Sequence, residues 1–146
     1  MMEEFKDNPI VQGYIKSNNF GKLLEMNLEV IGPGEIIYKM PIKDNHLATP
    51  VAAHGGSICA LMDASMGVCA LSQVIRDMRV VSTIEMKISF VAPAMHGDVL
   101  TAKASIVKSG KSLLFVEGEI RNQKDKIIAI ASGTFNSYPY QKVGFN

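Results

Sequence analysis

His54-Gly55-Gly56-Ser57-Ile58-Cys59-Ala60-Leu61-Met62-Asp63-Ala64-Ser65-Met66-Gly67-Val68-Cys69-Ala70-Leu71-Ser72-Gln73-Val74-Ile75 is the stretch that decides the fold. Ile58, Leu61, Met62, Ser65, Cys69 and Ser72 recur at spacings of three and four, the period of a helix from His54 or Gly55 to about Ile75. The intervening positions are also small or apolar. Such a helix is apolar on most sides and has to be wrapped by something else.

The wrapping material is read on both sides of it. Downstream, Val81 to Val91 alternates Ile84, Met86, Ile88 and Phe90 on one face with Thr83, Glu85, Lys87 and Ser89 on the other. Val99 to Lys108, Leu113 to Arg121 and Lys126 to Asn136 are three further strand-like runs. Ser109-Gly110-Lys111 and Asn122-Gln123-Lys124-Asp125 are tight connections, so these strands form an antiparallel meander. Upstream, Leu24, Met26, Leu28 and Val30 alternate with polar residues from Leu23 to Ile31. Gly32-Pro33-Gly34 breaks the chain and Ile36 to Ile42 returns, giving a hairpin. Residues 1–22 are a peripheral helical segment in which Asn8 caps a short helix with Pro9 at its first position. The expected class is α+β, with one long central helix laid across a curved antiparallel sheet of five to six strands.

Composition narrows the functions. The chain has 146 residues, close to the roughly 150 of one domain, so residues 1–146 are read as a single domain. Fifteen basic and 14 acidic residues leave a net charge of +1 with no block of one sign, which excludes the electrostatic footprint of nucleic acid or an anionic membrane. No apolar run is read as reaching the roughly 18 residues of a membrane span. Cys59 and Cys69 would stand about 15 Å apart on one helix, too far for a disulfide. Unbridged thiols and an N-terminus without a signal pattern point to the cytoplasm.

Two features of the helix carry chemistry. His54-Gly55-Gly56-Ser57 brings backbone N–H groups to the positive end of the helix dipole, a ready oxyanion or phosphate site, although the same residues also serve as an ordinary glycine-rich helix start. Asp63 is the sharper signal, a mid-helix carboxylate with no charged neighbour between His54 and Arg76. Desolvating it is costly unless something compensates, so it is either capped by a hydroxyl or exposed at a gap, or else placed in a dry site to activate water or to act as a nucleophile. Gly56 and Asp63 share a helical face but lie roughly 10.5 Å apart along the axis. One chain therefore cannot bring both to one carbon, whereas two antiparallel helices in a two-fold dimer would form two equivalent sites.

Other motifs are weaker. Lys108-Ser109-Gly110-Lys111-Ser112 ends like a P-loop but has Ser105 where the earlier glycine belongs, and it joins strands instead of opening a helix. His46, His54 and His96 form no metal-binding spacing, so no metal is expected.

The run His46 to Asp63 resembles the helix-start signature of hotdog-fold acyl-CoA thioesterases of the phenylacetic acid degradation (PaaI-like) type, within the 4-hydroxybenzoyl-CoA thioesterase superfamily. Ser82 to Ala94 and the Lys108–Ser112 turn extend the resemblance, which covers about Leu24 to Phe135. It implies a homodimer or dimer of dimers with sites across the dimer interface, hydrolysing an acyl-CoA to a carboxylic acid and coenzyme A. No cofactor is implied beyond the coenzyme A of the substrate. By resemblance, the Gly56 N–H polarises the thioester carbonyl and His54 and Gly55 shape the turn. Asp63 from the partner subunit is general base or nucleophile, and Thr83 hydrogen-bonds the acid or its water. Lys108, Gly110 and Lys111 fall where coenzyme A phosphates are met. Met62, Met66 and Phe90 are expected to line the acyl pocket, nine methionines suiting an adaptable cavity. One departure stands out. The family commonly has Asn or Gln six residues before the histidine, and here that residue is Ala48, with only Asn45 and His46 nearby. The alternative is thus a hotdog module that binds acyl-CoA without turnover. A dehydratase or hydratase on this fold would require histidine and acid motifs not found here.

Overall fold

Asn8 accepts the Ile10 N–H on its side-chain oxygen at 2.9 Å, with Pro9 at the first helical position, and so starts the helix expected there. In the computed structural model, which describes residues 2–32 and 35–144, this is α2 (Pro9–Ser17), between α1 (Met2–Asp7) and α3 (Asn19–Leu23). Ile10 and Val11 point inward and join Leu71, Ile75 and Val80 in a small second core.

The hairpin follows as β1 (Asn27–Gly32) and β2 (Glu35–Pro41). The first strand begins later than the alternation suggested. Leu23 closes α3, and Glu25 adopts φ 54 in the turn that redirects the chain. Of the expected Gly32-Pro33-Gly34 break, Pro33 and Gly34 lie outside the described residues. A loop with one 3-10 turn (Asp44–His46) leads to α4 (Gly55–Val74), and a second 3-10 turn (Ile75–Asp77) leads out. Then come β3 (Arg79–Phe90), β4 (Val99–Ser109), β5 (Leu113–Arg121) and β6 (Ile127–Pro139).

All pairings are antiparallel, in the order β1-β2-β4-β5-β6-β3. Only β4, β5 and β6 form the meander. β3 does not continue it but adds to the free side of β6, while β2 takes the free side of β4. Because β6 pairs with the start of β3 through Pro139 opposite Arg79, it runs on past Asn136, where its strand pattern had been read to end.

Residues 55–77 form a stretch long and apolar enough to cross a bilayer, which corrects the reading that no apolar run reaches that length. Most of this stretch is buried, against the sheet along much of its length and, at Leu71 and Ile75, against α2. Leu61, Met62, Met66 and Cys69 are fully buried in the main core. A Cβ on Gly118 of β5 would stand 2.7 Å from the Met62 sulfur, and one on Gly133 of β6 would stand 3.2 Å from the Met66 methyl. Those two glycines let the helix settle directly onto the sheet.

β3 contains a further deviation. Thr83 pairs with Phe135 and Glu85 with Thr134, leaving Ile84 as a bulge. The bulge shifts the side-chain alternation by one. Thr83, expected opposite Met86 and Ile88, shares the helix-facing side with the buried Phe135, while the bulged Ile84 is exposed.

Candidate active site

The start of α4 is built around two histidines. His46 is buried and its ring is held at both nitrogens: Nδ1 accepts the Lys43 N–H at 3.0 Å, and Nε2 lies 2.7 Å from the Leu24 carbonyl. An acceptor at Nδ1 leaves the proton on Nε2. The His46 carbonyl in turn accepts the His54 N–H at 2.7 Å and the Ser57 hydroxyl at 3.3 Å. Ser57 also donates to the His54 carbonyl at 2.7 Å, so its hydroxyl is occupied with structure and not poised as a nucleophile.

His54 is the N-cap of α4, and its Nδ1 accepts the Gly56 N–H at 2.8 Å. A Cβ at Gly56 would lie 2.9 Å from that nitrogen, so the cap depends on glycine. This alters the expectation for Gly56, whose N–H is already occupied by a side chain of its own loop. Among the described residues nothing accepts the Gly55 N–H, one of the unpaired donors every helix start presents. Phe90, at the far end of β3, lies beside it, its ring 3.3 Å from where a Gly55 Cβ would be.

Eight residues along, roughly 12 Å down the axis, is Asp63. It is partly buried, and its Oδ1 accepts the Thr83 hydroxyl at 2.7 Å. The β3 bulge makes this contact possible by turning Thr83 toward the helix. Beside the pair lies a cavity of about 270 Å³. Ile10 and Tyr14 of α2, Ala64, Gly67 and Leu71 of α4, and Phe135 of β6 are among its walls. The Tyr14 hydroxyl accepts from the Asn18 amide at 3.2 Å and lies 3.3 Å from the Tyr38 hydroxyl. Burial pushes its ionisation well above the ordinary tyrosine range, with Tyr38 and Asp63 acting in the same direction, so the wall stays neutral.

Several expected residues fall elsewhere. Met62 and Met66 are sealed against Gly118 and Gly133 and border no part of this cavity. At spacing i, i+4 they occupy the sheet-facing side of α4, whereas Asp63, Ala64 and Gly67 occupy the other. Phe90 is half exposed at the helix start, away from Asp63. Lys108 and Lys111 are exposed around the β4–β5 turn, closed by the Gly110 N–H donating to the Leu113 carbonyl at 2.8 Å. Ser112 accepts the Ser137 N–H, and Ser137 pairs with Val81, so this turn lies at the opposite end of the sheet from Phe90 and Gly55. Asn45 and His46 supply nothing in place of a side chain at Ala48: the Asn45 amide donates to the Leu23 carbonyl at 3.1 Å, and the His46 ring is fully engaged.

A larger groove of about 570 Å³ lies on the outer face of the sheet, among Lys87, Lys103, Glu117 and Glu119. None of the candidate residues lines it. Among the described residues no group of three His, Cys, Asp or Glu could hold a metal ion. The cavity walls Ile10, Tyr14 and Phe135 are residues that sequence reasoning did not single out. The only signal for the first two was their i, i+4 spacing on a short capped helix.

The profile of a known family, the thioesterase superfamily, matches residues 52–129, from the loop before α4 into β6. The chain belongs to the thioesterase superfamily. Among relatives of this superfamily chain, acyl-coenzyme A thioesterase 13 of Mus musculus is 30% identical over 122 residues, 82% of this chain and 86% of the relative. The PaaI protein of E. coli, from the phenylacetic acid degradation operon, has a solved structure that matches with a TM-score of 0.80. The match spans 89% of this chain and 94% of that one at 23% identity, and it shows the hotdog fold. A hypothetical thioesterase of Streptococcus pneumoniae, solved with coenzyme A, matches with a TM-score of 0.76 at 22% identity, over 86% of this chain and 97% of that one. The superfamily match contains His54, Gly55, Asp63 and Thr83 and excludes Ile10, Tyr14 and Phe135.

Proposed function

We infer that this protein is an acyl-CoA thioesterase that hydrolyses a thioester to a carboxylic acid and coenzyme A, at a site completed by a second copy of the chain. The observation that carries this reading is the Asp63–Thr83 hydrogen bond at the edge of an apolar cavity, on a helix otherwise devoid of charge. Asp63 takes a proton from water, whose oxygen attacks the thioester carbonyl. The carbonyl oxygen gathers charge, the C–S bond breaks, and the coenzyme A thiolate leaves and is protonated. Thr83 orients the carboxylate through the hydroxyl it donates.

The charge on the carbonyl oxygen needs a donor, and the Gly55 N–H at the positive end of α4 is the one left open; it takes the role expected of Gly56. At roughly 12 Å along one helix, Gly55 and Asp63 cannot serve the same carbon, so the Gly55 N–H comes from the partner subunit. The edge strand β3 and the exposed Ile84 and Phe90 offer the surface for a two-fold pairing. Coenzyme A in the structure of the S. pneumoniae relative and the names of the curated relatives support the substrate class. The test is thiol release from a panel of acyl-CoAs by wild type and Asp63→Asn. Turnover is expected on at least one substrate, falling by about 10²-fold or more in Asp63→Asn. Equal turnover by both proteins would refute the assignment.

Ala48 favours a second reading, a module that binds acyl-CoA without hydrolysing it, because this position offers no polar side chain where the family commonly has one. Saturable binding with no thiol release across the panel would establish it.

A further inference from the structure

Accepting the thioesterase reading, the acyl chain beyond the reacting carbonyl has to lie somewhere, and the cavity beside Asp63 and Thr83 is bounded on its far side by α2. We propose that α2 is the gauge of this enzyme: Ile10 and Tyr14 wall the acyl cavity on one side and favour uncharged acyl groups of about octanoyl or single-ring size.

Volume sets the limit. The cavity holds about 270 Å³. At the roughly 30 Å³ that a water-sized group occupies in a condensed phase, that is space for about nine carbon-sized groups. Octanoyl and phenylacetyl groups fit inside, whereas a palmitoyl chain would have to run out through the open side. Charge sets the second limit. Val68, Leu71, Val80, Val81 and Phe135 give the interior an apolar wall, and the charged side chain at its edge is Asp63 itself. A second carboxylate on the acyl chain would be desolvated there and repelled by Asp63.

The gauge is rigid and belongs to this chain. Ile10 is anchored in the core it shares with Leu71, Ile75 and Val80, and the Tyr14 hydroxyl is tied to Asn18 and Tyr38. The wall therefore cannot retreat without breaking those bonds. It also lies outside residues 52–129, the part matched to the superfamily, whereas Asp63 and Thr83 lie inside it. Reacting groups and size selection thus reside in different segments of the sequence.

The test compares wild type, Tyr14→Ala and Ile10→Phe, each also in an Asp63→Asn background. Values of kcat/KM are measured for saturated acyl-CoAs from butanoyl to palmitoyl, for phenylacetyl-CoA and for adipyl-CoA. Acyl-CoA Kd values are measured in the Asp63→Asn proteins, where turnover does not intervene. In wild type the optimum is expected near octanoyl or phenylacetyl, with adipyl-CoA poorly used. Tyr14→Ala should raise the dodecanoyl-to-octanoyl ratio at least about tenfold, and Ile10→Phe should shift the optimum toward butanoyl. Because the two variants are expected to move the optimum in opposite directions, mere destabilisation, which scales all substrates together, cannot imitate the result. Parallel profiles in all three proteins, or adipyl-CoA used as well as octanoyl-CoA, would overturn the proposal. If no acyl-CoA is hydrolysed but the Kd profile still shifts with α2, the thioesterase reading fails and the gauge stands. If hydrolysis occurs and the profiles do not shift, the reverse holds.

Discussion

On one side of α4, Leu61, Met62, Met66 and Cys69 pack onto the sheet with no exposure at all; on the other, Asp63, Ala64, Gly67 and Leu71 border a cavity. Both sides come from one stretch of nearly uniform apolar sequence, and it is the neighbour that distinguishes them. The sheet presents Gly118 and Gly133 and lets the helix close down, whereas α2 and β3 meet the other side with a gap between them. Apolar composition therefore records that a helix is covered without recording whether the cover touches it.

The contrast breaks most visibly at Asp63. Asp63→Asn should lower kcat by about 10²- to 10⁴-fold while leaving the thermal midpoint close to wild type, because the side chain borders a cavity and not the packed core. A midpoint that collapsed together with activity would mean that the two sides are not functionally distinct. Met66→Ala should do the opposite, costing about 2–5 kcal/mol in denaturant unfolding and leaving the kinetics of the surviving folded fraction near wild type. Thr83→Val tests the link between helix and strand. Removing a hydrogen bond to a charged group costs about 1.5–3 kcal/mol, so kcat should fall by roughly 10- to 100-fold with an altered pH profile, and Thr83→Ser should restore most of it.

The smallest expected effect lies away from both sides, at Asp98. Burial alone would raise its pKa, but the Met95 N–H and the side-chain amides of Gln123 and Asn122 outweigh that and hold its carboxyl below the usual aspartate range. A depressed folded pKa contributes stability above the unfolded value near 3.8, and that contribution disappears as pH falls through the lower folded value. Wild type should thus be more stable than Asp98→Asn at neutral pH. The gap between their thermal midpoints should narrow below about pH 4.

Much of this could be read from residues that act locally. Spacing located α4 and each strand of the meander, Asn8-Pro9 located α2, and an isolated acid marked Asp63. What escaped depends on meetings between distant segments. The bulge at Ile84 is visible only in the register of β3 against β6, and without it the alternation puts Thr83 on the wrong face. Met62 and Met66 look like pocket residues until Gly118 and Gly133, more than fifty positions away, are seen beneath them. The cavity itself needs α2, α4, β3 and β6 together. His54 takes the Gly56 N–H because its ring nitrogen reaches two residues forward, a choice of rotamer that composition does not encode.

His46 has a consequence that hydrogen exchange would read directly. Its ring nitrogen protects the Lys43 amide and its carbonyl protects the His54 amide, so one residue holds protons on both the loop leaving β2 and the first turn of α4. Neither amide can reach solvent without loosening the same side chain or its backbone. The two should therefore lose protection together, and the start of α4 should open as a single unit with the loop that precedes it.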